Sequence, residues 1–398
     1  MPKETIVVGL EIGTSKVCAV VADLKRDASI QILGVGEAPS RGVRKGEIVD
    51  IDTCGKCVRE ALADAEEKSD VMIKNVYLAI TGGHIQSFNN RGSFTLPEDR
   101  QKVDEDDYAR VKEAASAAPI PAQNMFLHSI LQHYYVDGQD GVLNPIGMHG
   151  RKLEADFHII HGVANRVRNS IQCLCDLDIT VEDIAFAPYA AAQAVLNQSQ
   201  KNIGAAMVDM GGGSTGYIVY TGGAVKQSGV IGIGGDHITN DLSLGLRIPM
   251  GKAEKLKIEE GSCIIGNGVP GETVALKDEH GFAGREIERE MLNTIISLRV
   301  RETFELVKRD LDRTRCLDYI GAGIILTGGC SELRGIKHLA EEVFETPVQL
   351  CKAQNVSGVT SAIENPQYST AIGLVKYAQA TLDGDSGGFF GWFGGIFR

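Results

Sequence analysis

The sequence lacks the features that would place it across a membrane or on nucleic acid. It has no apolar run approaching the ~20 residues that a spanning helix needs. Its first five residues lack the basic segment that opens a secretory signal. Positive charge is scarce, with 40 Lys and Arg against 52 Asp and Glu and a net charge of -12. Because the field of such a charge repels phosphate backbones, we expect a protein that does not bind nucleic acid. Without a spanning run or a secretory signal, we expect it to be cytosolic.

The cysteines do not follow the pattern of a disulfide framework or a zinc site. Cys54 and Cys57 form one C-x-x-C pair, and no second pair follows at the spacing of zinc ligands. We therefore expect reduced, structural thiols. The 398 residues, 43% hydrophobic and with only 11 Pro, suit about two to four packing units and exclude wholesale disorder.

One strand–turn–strand pattern occurs twice in the chain. Residues 6–21 contain two short β-branched segments around a glycine corner, and residues 205–220 repeat this arrangement. A repeated unit of this kind indicates related substructures. We expect two related lobes that face each other, each presenting a glycine turn.

Both turns carry groups suited to phosphate. Glycine lets the backbone approach a phosphate and aim N–H groups at its oxygens, hydroxyls add donors, and lysine adds a charge. Glu11 and Asp209 precede the two turns at the same offset, where they would hold Mg²⁺ through water. Either turn alone could be an ordinary hairpin, but together they predict a clamp on the β- and γ-phosphates. The predicted phosphate-binding residues are Gly13, Thr14, Ser15, Lys16, Gly211, Gly212, Gly213, Ser214 and Thr215.

Three further segments fit the rest of a nucleotide. A glycine turn near residue 234 could pass close to a phosphate or ribose, and a second one follows an apolar strand and could lie flat against a base. Glu254 and Lys257 share one helical face and could bracket a ribose or adenine edge, although such a pair is more often a solvated surface pair. The remaining candidates in these segments are Gly234, Gly235, Asp236, Gly328, Gly329 and Ser331.

The order of these motifs resembles that of the actin/Hsp70/sugar-kinase ATPase superfamily and, within it, the FtsA family of bacterial cell-division relatives of actin. The matching segments are residues 8–14, 208–213, 220–223, 325–329 and 368–374. The resemblance extends over residues 6–382. It implies an α/β, actin-like (ribonuclease H-like) fold with two lobes and an inserted α+β subdomain, termed 1C, and it implies ATP and Mg²⁺ as ligands.

The resemblance also implies a division into subdomains. Subdomain 1A would comprise residues 1–84, 165–197 and 361–382, and 1C would comprise residues 85–164. Subdomain 2A would comprise residues 198–231 and 301–360, and 2B residues 232–300, with its last helix continuing to about residue 311. Residues 383–398 would form a linker and a membrane-targeting helix.

One departure from related proteins concerns hydrolysis. In bacterial actins a Glu stands directly before the Pro of an E-P-x-A-A-A segment, whereas here Ala187 precedes Pro188. Alanine cannot orient a water molecule, and such groups are typically worth ~10²–10⁴-fold in rate. We expect ATP binding with slow or negligible turnover, and we assign no catalytic residue.

The last ten residues contain the only Trp and an apolar helical face. Large side chains recur at helical spacing, and glycines occupy the other side, which is typical of a helix lying in a membrane surface. The alternative is a terminal segment docked on the protein's own core. The residues predicted to contact lipid are Phe389, Phe390, Trp392, Phe393, Ile396 and Phe397.

The resemblance implies a location and partners as well. FtsA-family proteins self-associate head to tail and anchor the division ring at the cytoplasmic face of the inner membrane. They bind the C-terminal peptide of FtsZ on subdomain 2B, where Arg299 aligns with a contact position, and other division proteins would bind through 1C. Arg299 could equally be a solvated surface charge.

Two other functions remain open from the sequence. A small-molecule kinase of the same superfamily would need a catalytic carboxylate and an acceptor pocket, and the sequence identifies neither. A pilus-assembly relative of FtsA would bind a different membrane protein, and the aromatic terminal segment argues against it.

Overall fold

The computed structural model describes residues 5–266, 271–276 and 284–382. The strands are β1 (Thr5–Ile12), β2 (Lys16–Leu24), β3 (Ile30–Pro39), β4 (Val43–Arg44), β5 (Glu47–Ile48), β6 (Asn75–Ile80), β7 (Gln86–Thr95), β8 (Asn124–Val136), β9 (Gln139–Val142), β10 (Lys152–Val163), β11 (Thr180–Phe186), β12 (Ala205–Met210), β13 (Thr215–Thr221), β14 (Ala224–Ile231), β15 (Thr273–Leu276), β16 (Arg285–Glu288), β17 (Ile324–Thr327), β18 (Val348–Leu350) and β19 (Ser357–Gly358). The helices are α1 (Ile51–Ser69), α2 (Glu105–Ser116), α3 (Ala164–Cys175), α4 (Ala187–Val195), α5 (Gln198–Ile203), α6 (Gly235–Leu246), α7 (Met250–Glu260), α8 (Arg289–Arg313), α9 (Ile336–Phe344), α10 (Thr360–Ile363) and α11 (Ser369–Leu382). Among the described residues, no helix combines the length and apolar character needed to cross a bilayer.

Two sheets with the same local topology form the two lobes. The first has the strand order β11-β6-β1-β2-β3-β19, and the second has the order β14-β13-β12-β17-β18. In each, an antiparallel hairpin (β1–β2 or β12–β13) has a parallel neighbour on one side, β6 or β17, and an antiparallel third strand on the other. The repeat predicted from the sequence is therefore confirmed.

The hairpin strands are almost wholly buried because helices cover the sheets. In β2, residues 17–23 are all buried, and the apolar residues of β12 are fully buried. Such continuous apolar strands belong to sheets that are covered on both faces. The two hairpin turns are thereby fixed at the ends of rigid strands.

Helices α4 and α11 cross at very short range between the lobes. At Gly373 a side chain would collide with the carbonyl oxygen of Ala190 and lie 3.0 Å from the nitrogen of Ala191. The two helices share one apolar cluster with Val20 of the first sheet and Met207 of the second. Small residues in both helices allow this close packing, which joins the lobes.

The insertion between the halves of the first lobe forms its own sheet. Its strand order is β7-β10-β8-β9, and α2 packs against β7 and β10. The sequence gives no strand pattern for most of β7, because residues 89–107 are polar and turn-rich. The strand carries Gly92 where it meets α2, at a position where a Cβ would lie 2.8 Å from the nitrogen of Ala115. A close backbone approach therefore replaces the apolar side chain that would have signalled a strand.

This insertion touches both lobes. His128 Nε2 accepts a hydrogen bond from the backbone nitrogen of Phe186 in the first lobe (2.9 Å). His158 Nε2 lies 2.8 Å from Ser228 Oγ on β14 of the second lobe, and Ser87 Oγ donates to the carbonyl oxygen of Ser228 (2.7 Å). Burial lowers the pKa of both histidines to about 3, so they are neutral at pH 7.

One subdomain boundary differs from the sequence-based division. Strand β19 pairs in parallel with β3, with Ser357 opposite Gln31. The predicted boundary at residue 361 assigned this strand to the second lobe. Its pairing places it in the first sheet, so the chain returns to the first lobe earlier than predicted.

Candidate functional site

A cleft of about 380 Å³ lies between the two lobes and is lined by the glycine turns of both. The predicted residues that line it are Glu11, Gly13, Thr14, Ser15, Lys16, Asp209, Gly211, Gly212, Gly235, Asp236, Glu254, Lys257, Gly328 and Gly329. A cleft of this size suits a small-molecule ligand of nucleotide dimensions. Segments far apart in the sequence therefore meet at one site.

The two hairpin turns have the same internal bond and contact each other. Gly13 donates its N–H to the carbonyl oxygen of Lys16 (2.9 Å), and Gly211 donates to that of Ser214 (3.0 Å). A Cβ on Gly213 would lie 2.7 Å from Thr14 Cβ, closer than real Cβ contacts allow. Glycine is thus required where the turns meet.

Two carboxylates face each other beside the turns. Burial, followed by the negative charge of Asp209, raises the pKa of Glu11 to about 8, and burial raises that of Asp209 to about 6. Asp209 Oδ2 accepts a hydrogen bond from Thr370 Oγ1 (3.0 Å), whereas the buried Glu11 Oε2 has no hydrogen-bond partner among the described residues. A divalent cation would lower both pKa values and supply the missing partner.

These oxygens fit Mg²⁺ held partly by water. The described residues contain no group of three or more His, Cys, Asp or Glu side chains placed to hold a metal ion. Glu11 and Asp209 line the cleft together. Because Mg²⁺ prefers oxygen ligands and retains several waters, two carboxylates with phosphate oxygens and water suffice.

Lys16 presents a buried ammonium group at the cleft. Its Nζ has no hydrogen-bond partner among the described residues, and burial lowers its pKa. It lies 3.6 Å from the ring centroid of Tyr368 and 3.9 Å from Glu37 Oε2, and Tyr368 donates its hydroxyl to Glu37 (2.8 Å). The ring and the carboxylate hold the cation in place, which leaves its donors for an anion.

A second compartment of about 60 Å³ adjoins the turns and is lined by residues of both lobes. Glu11 and Asp209 line it, and so do Gly213 and Ser214. The remaining lining includes Gly46, Thr81, Ala187 and Pro188. Among these residues, Glu11 and Asp209 carry the only carboxylates, and the position of Ala187 offers only a methyl group.

Helices α6 and α7 form the opposite wall of the cleft. Lys257 Nζ donates to Glu254 Oε2 (2.7 Å), to Thr239 Oγ1 (3.0 Å) and to the carbonyl oxygen of Gly235 (3.2 Å). Burial raises the pKa of Asp236 in the first turn of α6. Lys257 therefore fastens α7 to α6 rather than projecting freely into the cleft.

Several lining residues were not predicted from the sequence. They are Ile258, Gly261, Cys330, Glu332, Leu333, Arg334, Pro366, Gln367 and Thr370. Ile258 directly follows Lys257, and the residues from 330 to 334 follow the predicted glycine turn, so proximity in sequence could have indicated them. Thr370 lies within the matching segment 368–374, whereas Pro366 and Gln367 lie outside every predicted segment.

Gly213 and Ser214 line only the second compartment, and three further predicted residues line neither cavity and instead support the turns. Thr215 Oγ1 donates to the carbonyl oxygen of Ile233 (2.8 Å), and Ser331 Oγ donates to that of Gly328 (2.7 Å). A Cβ on Gly234 would lie 2.5 Å from the carbonyl oxygen of Gly211. The structure therefore places both hydroxyls, and the open side of Gly234, against the backbone of neighbouring turns rather than at the cleft.

The predicted partner and membrane residues lie elsewhere. Arg299 on α8 pairs with Asp241 on α6 and with Glu302. Its side chain is 25% exposed, so it is neither buried nor freely solvated. The six residues predicted to contact lipid, all within 389–398, lie outside the described residues.

Comparison with known proteins identifies relatives across nearly the whole chain. The family described as "Cell division protein FtsA" matches residues 206–373, and the "SHS2 domain inserted in FTSA" matches residues 82–161. The FtsA of Pseudomonas aeruginosa is 38% identical over 382 residues, which cover 96% of this chain and 91% of that protein. The FtsA of Escherichia coli K12 is 34% identical, with 96% and 92% covered.

Solved structures support the fold. The PilM–PilN type IV pilus biogenesis complex aligns with a TM-score of 0.66 at 15% identity, covering 94% of this chain and 98% of that one. MreB5 of Spiroplasma citri bound to ADP aligns with a TM-score of 0.53 at 15% identity, covering 95% and 98%. The predicted α/β, actin-like fold with an inserted subdomain is confirmed. By its extended identity to curated relatives, the chain belongs to the FtsA family of cell-division proteins.

Proposed function

We propose that this protein binds ATP with Mg²⁺, polymerises at the cytoplasmic membrane and tethers the FtsZ ring there through its C-terminal segment. The main support for ATP binding is that two glycine turns, two buried carboxylates and the buried Lys16 ammonium meet at one cleft. Fold neighbours support it, because MreB5 was solved with ADP and with AMPPNP.

The groups at the cleft would divide the nucleotide between them. Backbone N–H groups of the two turns and the hydroxyls of Thr14, Ser15 and Ser214 would bind phosphate oxygens, with Lys16 supplying the charge. Glu11 and Asp209 would hold Mg²⁺, which neutralises charge on the phosphates when it is bound. The wall formed by α6, α7 and the turn at Gly328 would accept the nucleoside.

Turnover would be slow. The small compartment next to the turns is where an attacking water would stand, and Ala187 offers it no hydrogen bond. At about 60 Å³ the compartment holds a few water molecules and not a sugar, which argues against a small-molecule kinase. Nucleotide binding would then serve mainly to set the angle between the lobes.

Membrane attachment would rest on residues 389–398. Apolar burial contributes at most ~1.5–3 kcal/mol for each large side chain, and each glycine costs a helix ~1 kcal/mol. A single segment therefore binds weakly, and attachment needs many copies presented by a polymer. This is why polymerisation and membrane binding are proposed together.

Removing residues 389–398 is expected to leave the fold intact and to abolish binding to lipid. Full-length protein with Mg²⁺ and ATP should form filaments on lipid monolayers in electron micrographs and should pellet with liposomes, whereas the truncated protein should do neither. Trp392→Glu should act like the truncation because it places a charge on the apolar face. Gly391→Glu is the matched control, since the same charge falls on the glycine side. Equal pelleting of all four proteins would refute the anchor.

The FtsZ peptide would dock on 2B beside Arg299. Leu244 on α6 and Leu298 on α8 are 70% and 59% exposed, and a Cβ on Gly245 of α6 would lie 2.9 Å from Ile295 Cδ1 on α8. The two helices thus present exposed apolar side chains near a guanidinium group. Arg299 uses its Nε and Nη1 groups within the protein, so Nη2 remains to bind a peptide carboxylate.

Arg299→Glu is expected to weaken binding of an FtsZ C-terminal peptide about ten-fold or more while sparing ATP binding, because a charge-assisted hydrogen bond is lost and a repulsion is added. Fluorescence anisotropy of a labelled peptide measures this. Arg299→Gln removes the positive charge without placing a third carboxylate beside Asp241 and Glu302. Arg313→Glu makes the same charge reversal at the exposed end of α8. Equal losses of peptide affinity for Arg299→Glu and Arg313→Glu would contradict the proposed binding site.

A further inference from the structure

A short hairpin from the first lobe reaches the phosphate turns. Strands β4 and β5 pair with Val43 opposite Ile48 and Arg44 opposite Glu47, which leaves a two-residue turn. Both turn residues, Lys45 and Gly46, have positive φ (53° and 77°). This combination is typical of a tight type I′ turn.

The hairpin is fixed to the first phosphate turn. Gly46 donates its N–H to Thr14 Oγ1 (2.9 Å), and the preceding segment adds a bond from the nitrogen of Ser40 to the carbonyl oxygen of Ser15 (3.0 Å). The bond to Thr14 occupies an acceptor position of its hydroxyl and leaves the hydroxyl proton available to a phosphate oxygen. The hairpin therefore orients one of the groups proposed to bind phosphate.

The base of the hairpin is held on α3. Arg166 Nη1 donates to both carboxylate oxygens of Glu47, at 2.8 and 2.6 Å. Gly46 itself lines the small compartment, and a Cβ there would lie 2.7 Å from Thr81 Cγ2. The turn of the hairpin is thus positioned at the small compartment.

Lys45 extends from this turn toward the other lobe. Its Cδ would lie 3.5 Å from a Cβ on Gly232, just before the turn that leads into α6. Burial first, and then the positive charges of Lys45 and Arg299, lower the pKa of His237 in α6. An exposed cation carried by one lobe therefore lies against the other, and it is adjacent in sequence to Gly46, which lines the small compartment.

We propose that Lys45 binds the terminal phosphate of a nucleoside triphosphate and thereby distinguishes ATP from ADP. The small compartment is lined by Gly46 and by both phosphate turns, and the phosphate farthest from the nucleoside would project into it. A contact between Lys45 and that phosphate would hold the hairpin against Gly232 of the second lobe. This inference rests on the proposed nucleotide binding, and it makes the angle between the lobes depend on the third phosphate.

Lys45→Asn tests the inference without disturbing the turn, because Asn tolerates positive φ. Calorimetric titration of the full-length protein with ATP and with ADP, both with Mg²⁺, gives the ratio of the two dissociation constants. We expect Lys45→Asn to weaken the binding of ATP about ten-fold and the binding of ADP less than about two-fold, since a charge-assisted hydrogen bond to one phosphate is lost. Lys45→Arg should keep most of the preference for ATP.

Arg44→Gln is the matched control, because it removes one positive charge from the same hairpin. It should leave the ATP-to-ADP ratio unchanged. The role of Lys45 would be overturned if Lys45→Asn left the ratio of the two dissociation constants unchanged, which includes an equal loss of affinity for both nucleotides. It would also be overturned if Arg44→Gln changed that ratio as much as Lys45→Asn does. In either case nucleotide binding by the parent protein would stand. Failure of the parent protein to bind either nucleotide would overturn the proposed function itself, and this inference with it.

Discussion

Replacing Gly213 with Ala is expected to weaken ATP binding severely. The added Cβ would collide with Thr14 Oγ1 and lie 2.7 Å from Thr14 Cβ and 2.9 Å from Thr14 Cγ2, so the two turns must separate. The φ of Gly213 is not in the positive region, so Ala adds no backbone strain of its own. Because the clamp needs both turns on the same phosphates, we expect a loss of about 100-fold or more, or about 2.7 kcal/mol.

Isothermal titration with Mg²⁺ and ATP measures this loss, and Gly211→Ala is the matched control. A Cβ on Gly211 would lie 3.3 Å from the carbonyl oxygen of Ser214, which a small shift relieves. We expect that variant to lose less than about ten-fold in affinity. Thermal unfolding of both variants establishes that they are folded. If Gly213→Ala bound ATP as tightly as Gly211→Ala, the turns would not act as a clamp.

Replacing Ala187 with Glu is expected to raise the rate of ATP hydrolysis. Ala187 begins α4 and lines the small compartment together with Gly213 and Ser214. A carboxylate at this position could accept a hydrogen bond from a water placed against the terminal phosphate. We expect phosphate release to increase about ten- to 100-fold, below or at the lower limit of the usual ~10²–10⁴-fold range, because the surrounding residues were not selected around this group.

Two variants separate the chemistry of this position from its volume. Ala187→Leu fills the compartment with an apolar side chain and should leave hydrolysis at or below the parent rate. Ala187→Gln keeps the shape of Glu and can orient water without accepting a proton, so its rate should lie between those of Leu and Glu. Equal rates for Ala187→Glu and Ala187→Leu at saturating ATP would show that the alanine does not limit turnover.

The two lobes were predictable because their strands repeat an apolar pattern around glycine turns. Strand β7 was not, because its close approach to α2 depends on Gly92, which has no side chain to create a pattern. Strand β19 is two residues long and joins β3 across more than 300 residues of sequence. Neither local propensity nor periodicity can indicate such a pairing.

The parts of the cleft that were predictable are those where the chemistry lies within one turn. The carboxylate, glycines and hydroxyls of each turn are adjacent in sequence, so their roles could be inferred together. The support of Lys16 by Tyr368 depends on folding, since these residues come from opposite ends of the chain. The orientations of Thr215 and Ser331 were also hidden, because a hydroxyl beside a turn can face the cleft or the backbone.

Helix α11 links the cleft mechanically to the end of the chain. Its first turn carries Thr370, which donates to Asp209, and its middle is locked against α4 at Gly373. From Gly373 to Leu382 the helix extends roughly 13 Å, at ~1.5 Å per residue. A tilt about this fulcrum would displace Leu382, the residue from which the C-terminal segment departs. Helix α11 contacts Asp209 through Thr370 and ends at Leu382. A change in the cleft that tilts this helix would therefore alter the direction of its C-terminal end.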